Sequence, residues 1–223
     1  HIPKQEAQAF LSDCCRVLKP GGTLRIVLPD LEDIARNYIK LLDQNLENTT
    51  PESKANYEWM LLEMYDQAIR NIPGGMMTDF ISQQEMANED FVLDRIGHIG
   101  KNIRKGFLGL PIDRPSVQEL TKESFLTRAI RRIKKELAAF RRGIINLMLT
   151  QKERNALKVG EFRLGGEIHY WMYDRYSLKE LLLASGFKEV FLMSPHKSNI
   201  PDWASYELDV RANGDVYDPT SLF

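Results

Sequence analysis

The stretch His169-Tyr170-Trp171-Met172-Tyr173-Asp174-Arg175-Tyr176 sets a histidine directly before a run of aromatics in this chain of 223 residues. Near neutral pH an imidazole can take the proton of a hydroxyl or amine, so His169 is a candidate general base, and His1 is a second. Asp30 ends the apolar stretch "TLRIVLPD" and could orient such a base or contact the acceptor, while Tyr170, Trp171, Tyr173 and Tyr176 could wall a pocket. Two other readings compete: aromatics at a helix entry pack into a core, and Asp30 caps the following helix. His98 and His196 have no partner at a useful spacing. The only cysteines, Cys14 and Cys15, are adjacent, with neither CxxC nor metal-ligand spacing. A vicinal disulfide is strained, so two reduced thiols in a cytoplasmic protein are expected, and no metal site.

These residues need elements to position them. Ala7, Phe10, Leu11, Cys14, Val17 and Leu18 recur at helical spacing, and Lys19-Pro20-Gly21-Gly22 supplies the stop. Thr23 to Leu28 is apolar and β-branched apart from Arg25, as in a strand covered on both faces of a parallel sheet. Near the other end, Ser177 and Glu180 suggest a capping box ahead of Leu178, Leu181, Leu182 and Leu183, with Gly186 closing the helix. Val190 to Met193 and Ala204 to Ala212 are expected to be strands, the latter followed by an Asn213-Gly214 turn. Between them, helices are expected over Leu31–Leu46 and Tyr57–Ile72, the second stopped by Pro73-Gly74-Gly75. From Phe125 to Leu147 an apolar stripe is flanked by arginines and lysines, a basic amphipathic helix. The expected fold class is therefore α/β, the C-terminal half of a doubly wound sheet. Residues 1–30 and 167–223 form its core, and residues 31–166 form a mainly helical insertion.

Composition narrows the function classes. With 43% hydrophobic residues the chain can bury a core, and 30 basic against 31 acidic side chains give no global attraction to nucleic acid. No run is apolar enough to span a membrane. A first residue that is His and an end on Leu222-Phe223 suggest a piece of a longer protein.

"HIPKQEAQAFLSDCCRVLKPGGTLRIVLPDLE" resembles the middle of class I S-adenosylmethionine-dependent methyltransferases, in the type 11 branch that includes predicted enzymes of polysaccharide gene clusters. "HYWMYDRYSLKELLLASGFKEV", residues 169–190, is similar to the segment entering the helix before the sixth strand of that family. The resemblance covers residues 1–32 and 167–212 in order. It implies a Rossmann-like methyltransferase sheet with S-adenosyl-L-methionine as cofactor and a small-molecule or sugar acceptor. His1 and Ile2 would stand at the cofactor edge, at the end of the family's fourth strand. It also implies His169 and Asp30 as catalytic groups, Tyr170 and Tyr173 as acceptor contacts, and the insertion as an acceptor lid. The glycine-rich turn and the acidic residue that hold the cofactor in this family do not occur in the chain, so weak cofactor binding is expected. An unpaired edge on the strand ending at Asp30 would favour a homodimer. The alternative function is a non-catalytic module that uses the basic helix at an anionic lipid or glycan surface.

Overall fold

The computed structural model describes residues 1–112, 132, 136, 141–143, 145 and 147–223. Among these the order is α1 (Lys4–Val17), β1 (Leu28–Pro29), α2 (Leu31–Glu47), α3 (Pro51–Ile69), α4 (Gly75–Ile81), α5 (Glu89–Arg95), α6 (His98–Phe107), α7 (Gln151–Arg163), α8 (Arg175–Ala184), a 3-10 turn at Trp203–Tyr206 and β2 (Ser221–Leu222). Most of the basic stripe from Phe125 to Leu147 falls outside the described residues. No helix among the described residues is long and apolar enough to cross a membrane.

Local chemistry explains the helices. Asp30 is the N-cap of α2, its Oδ1 accepting from the Glu32 N–H at 2.9 Å, so the capping reading of this residue holds. A three-residue connection then turns the chain into α3, where Thr50 and Ser53 form a capping box with Pro51 at the first helical position. The Asn45 side chain locks this corner by donating to the Ser53 carbonyl at 3.0 Å and accepting from its hydroxyl at 2.8 Å. The α3 helix ends at Ile69, three residues before the expected stop, and Gly74, at φ +74°, becomes the N-cap of α4 instead. In α8 the capping box is Asp174 with Ser177, so the helix starts one turn earlier than a Ser177–Glu180 box would place it. Gly186 ends it as expected, with φ +104° and backbone bonds from Gly186 and Phe187 back to Leu183 and Leu182.

The doubly wound α/β sheet is not what forms. The molecule is mostly helical, and its only sheet among the described residues is two-stranded and antiparallel, β1 pairing β2 with Leu28 opposite Leu222 and Pro29 opposite Ser221. Thr23–Val27 and Val190–Leu192 belong to no strand, and no backbone bond joins either to another described residue. Apolar, β-branched composition suits a strand, but a strand exists only when a neighbour supplies the ladder. The expected strand over Ala204–Ala212 is overturned as well. Its start lies in the 3-10 turn, flanked by Asp202 and Glu207 at φ 55° and 49°, and only Val210 pairs, with Val216 across the Asn213-Gly214 turn.

Apolar burial falls into two clusters. The first gathers Ile34, Leu41, Trp59, Met60, Ile81, Val92 and Ile96 from α2 to α5 and the residue after it. The second gathers Leu11, Leu178, Leu182 and Leu222, with Leu24, Ile26 and Phe187 packed against it. Each fully buried side chain of this size contributes about 1.5–3 kcal/mol. Between Trp59 and Arg95 a buried carboxylate, Glu63, accepts from the indole N–H and from two guanidinium nitrogens, so no charge is left bare in the first cluster.

Candidate functional site

The segment from Glu167 to Asp174 runs along the seam between the two clusters. Ile168 is wholly buried, Met172 packs against the first cluster and Tyr173 against the second. Its start is fastened to the end of α3. The His169 N–H donates to the Gln67 carbonyl at 3.1 Å, and Glu167 Oε1 accepts from Arg70 at 3.1 Å and from the Gly74 N–H at 2.8 Å. Arg70 also binds Asp66 at 2.6 Å, and Asp66, fully buried, accepts from the Met76 N–H at 2.8 Å. Gly75 makes that approach feasible, since its φ is +55° and a Cβ there would stand 2.5 Å from both Asp66 carboxylate oxygens. The other end of the segment is tied to α2, where the Leu31 N–H donates to the Tyr173 carbonyl at 3.0 Å and Asp30 pairs with Tyr173.

This framework brings four of the sequence candidates together as two separate pairs, one at each end of the segment. The His1 and His169 rings meet edge to face at 4.4 Å, and His1 Nδ1 donates to the Ile168 carbonyl at 3.1 Å. Asp30 and Tyr173 share the adjoining backbone pair. Burial, then the charge of the amino terminus and of Arg70, pushes the His169 imidazole down to about 4, so it is neutral at physiological pH. Burial raises the Tyr173 phenol. It also raises Asp30, against the helix N–H groups of Glu32 and Asp33 that favour the carboxylate. Two polar atoms at the seam are buried with no partner among the described residues: His169 Nδ1 and the Tyr173 hydroxyl. Such atoms cost free energy in the empty fold and are competent to bind a polar ligand group.

The other candidates are engaged elsewhere. The Tyr170 hydroxyl donates to the Arg163 carbonyl at 2.6 Å, at the end of α7. Trp171 lies under Lys4, whose Nζ is 3.9 Å from the ring centroid, and Tyr176 is 72% exposed. Ile2 is half-buried and leads into α1. His98 fastens the C-terminal segment to α6, with Asn102 at 3.0 Å on one ring nitrogen and Arg211 at 3.1 Å on the other. Asp66, Arg70 and Glu167, which hold the His169 segment, did not stand out in the sequence. The Asp66-to-Arg70 spacing of four was the available signal, but that spacing is common on solvated helix faces.

The described residues show no counterpart of the cofactor turn that the resemblance implies. No glycine-rich turn follows a strand, and the space beside Gly97 is filled by the chain itself, a Cβ there lying 2.1 Å from the Tyr217 carbonyl oxygen. Gly21, at φ +77°, serves the turn after α1. No family model, curated protein or solved structure matches the chain.

Proposed function

We propose that the chain takes part in S-adenosylmethionine-dependent methyl transfer to a small-molecule or sugar acceptor, and that its own residues form the acceptor side of that reaction. The observation that carries this reading is the pair of buried, unpartnered polar atoms, His169 Nδ1 and the Tyr173 hydroxyl, on a segment anchored to both clusters. An acceptor lying along this segment would offer its hydroxyls to a neutral imidazole at one end and a phenol at the other, each with no competing partner among the described residues. Because its basicity lies near 4, His169 orients the hydroxyl as a hydrogen-bond partner more than it holds a full proton. Asp30 is committed to capping α2 and contributes a carboxylate at the rim. The free thiols Cys14 and Cys15 support a reducing, cytoplasmic setting.

The test titrates the 223-residue chain with a panel of methyl glycosides and small polyols, following the His169 and Tyr173 ring signals by NMR. A saturable shift at both rings from at least one compound is expected. Calorimetry with S-adenosylhomocysteine on the same chain is expected to give no binding heat. A panel in which no compound moves either ring overturns the acceptor site.

A further inference from the structure

Asn213 is the only asparagine of the chain that is followed by glycine. The others precede tyrosine, leucine, isoleucine, threonine, alanine or glutamate, whose side chains crowd the next backbone nitrogen. Asn213 and Gly214 form the exposed tip of the turn across which Val210 pairs with Val216. Gly214 takes φ +91°, where a residue with a Cβ is strained, and beyond its chain neighbours nothing stands within 4 Å of the place a Cβ would occupy. The Asn213 side chain reaches across this glycine. Its Oδ1 accepts from the Asp215 N–H at 3.1 Å, and its Nδ2 donates to Asp215 Oδ2 at 2.7 Å. Both ends of the amide are thus tied to the residue beyond Gly214, which holds the amide carbon along the Gly214 peptide with its carbonyl polarised. The Gly214 N–H donates to the Arg211 carbonyl at 2.8 Å, a bond that must open before this nitrogen can react. At an exposed turn tip such opening is local and needs no unfolding of either cluster.

We propose that Asn213 is a site of spontaneous deamidation through a succinimide, and that the acidic product loosens this turn. The Gly214 nitrogen loses its proton and attacks Asn213 Cγ, so that a new C–N bond closes a five-membered ring. The Cγ–Nδ2 bond breaks, and Nδ2 leaves with the proton as ammonia. Water then adds to one of the two ring carbonyls and opens its bond to nitrogen. Opening at the side-chain carbonyl gives aspartate, and opening at the backbone carbonyl gives isoaspartate, whose main chain runs through Cγ. The net change is amide plus water to carboxylate plus ammonium. Either product sets a carboxylate where the Nδ2 donor now faces Asp215, so two like charges meet in place of a hydrogen bond. Isoaspartate also adds a methylene to the main chain between Val210 and Val216. Both changes bear on the Arg211 N–H, which donates to the Asp215 carbonyl at 2.8 Å. Arg211 itself bonds His98 of α6 at 3.1 Å, so this turn helps fasten the C-terminal segment to the helices.

The test holds the 223-residue chain in warm neutral buffer and follows every asparagine-containing peptide by mass spectrometry after digestion. Conversion of amide to acid at Asn213 is expected to run at least about tenfold faster than at any other asparagine, and faster at pH 8 than at pH 6, because the attacking nitrogen must lose its proton. Aspartate and isoaspartate are both expected. Asn213→Gln, which would have to close a larger ring, is expected to stay unconverted. In the converted chain, hydrogen exchange of the Arg211 amide is expected to rise at least about fivefold. Conversion no faster at Asn213 than elsewhere overturns the proposal. So does aspartate without isoaspartate, which would mean direct attack by water on the side chain. Unchanged exchange at Arg211 after conversion overturns the loosening of the turn.

Discussion

Burial of His169 makes the stability of the chain depend on pH. In the unfolded chain its imidazole titrates near 6.5, and in the fold near 4, mainly because burial disfavours the cation. Between those values the unfolded chain binds the extra proton, so stability rises with pH. The contribution is fully present above pH 6.5 and is lost as pH falls toward 4. At about 1.4 kcal/mol per unit the ceiling is about 3 kcal/mol, and screening at the part of the ring that water reaches brings the expected loss to about 2 kcal/mol. Urea denaturation of the wild-type chain and of His169→Gln, at steps from pH 7.5 to 4, isolates this group from the carboxylates that titrate alongside it. The difference between the two curves is the quantity of interest. The wild type is expected to lose about 2 kcal/mol more than the variant across that range. A direct NMR titration of the His169 ring should place its midpoint near 4. A midpoint near 6.5, or parallel curves for the two proteins, would refute the claim that the seam excludes water from this ring.

Two further outcomes test the supports of the site. Asp66→Asn removes the charge that faces Arg70 and leaves one acceptor for bonds that now use both carboxylate oxygens, so a loss of about 3–5 kcal/mol by chemical denaturation is expected. A loss under 1 kcal/mol would mean that water reaches this carboxylate. Tyr173→Phe deletes a buried hydroxyl with no partner among the described residues, so stability should stay level or rise by up to about 1 kcal/mol, while the glycoside-induced shift at His169 disappears. Destabilisation by more than 1 kcal/mol would show that the hydroxyl is bonded within the fold.

Much of the helical framework was legible before any coordinates. The apolar spacing of α1 and α2 and the closing role of Gly186 depend on neighbours within a few positions, which is the range over which periodicity and capping act. Errors at helix boundaries were also local. Two overlapping Ser/Asp boxes compete at the start of α8, and Asp174 wins because its Oδ1 reaches both the Tyr176 and Ser177 N–H groups, at 3.0 and 2.7 Å. The strands failed for a different reason. Nothing in "TLRIVLPD" specifies whether a neighbour is present, and here only Leu28, Pro29 and Asp30 gain one among the described residues.

The candidate site divides along the same line. The sequence by itself determined that an imidazole, a carboxylate and several aromatics were at hand, and that Asp30 would serve either as a cap or as a site residue. Only the tertiary structure decided that His1 meets His169 and Asp30 pairs with Tyr173, while Tyr170 and Trp171 turn to other work. It also decided that His169 is neutral, because its protonation depends on burial and on Arg70, which is 99 positions away in the chain. Helix signals are written in adjacent residues, whereas ladder pairing, desolvation and charge proximity are properties of residues that meet only after folding.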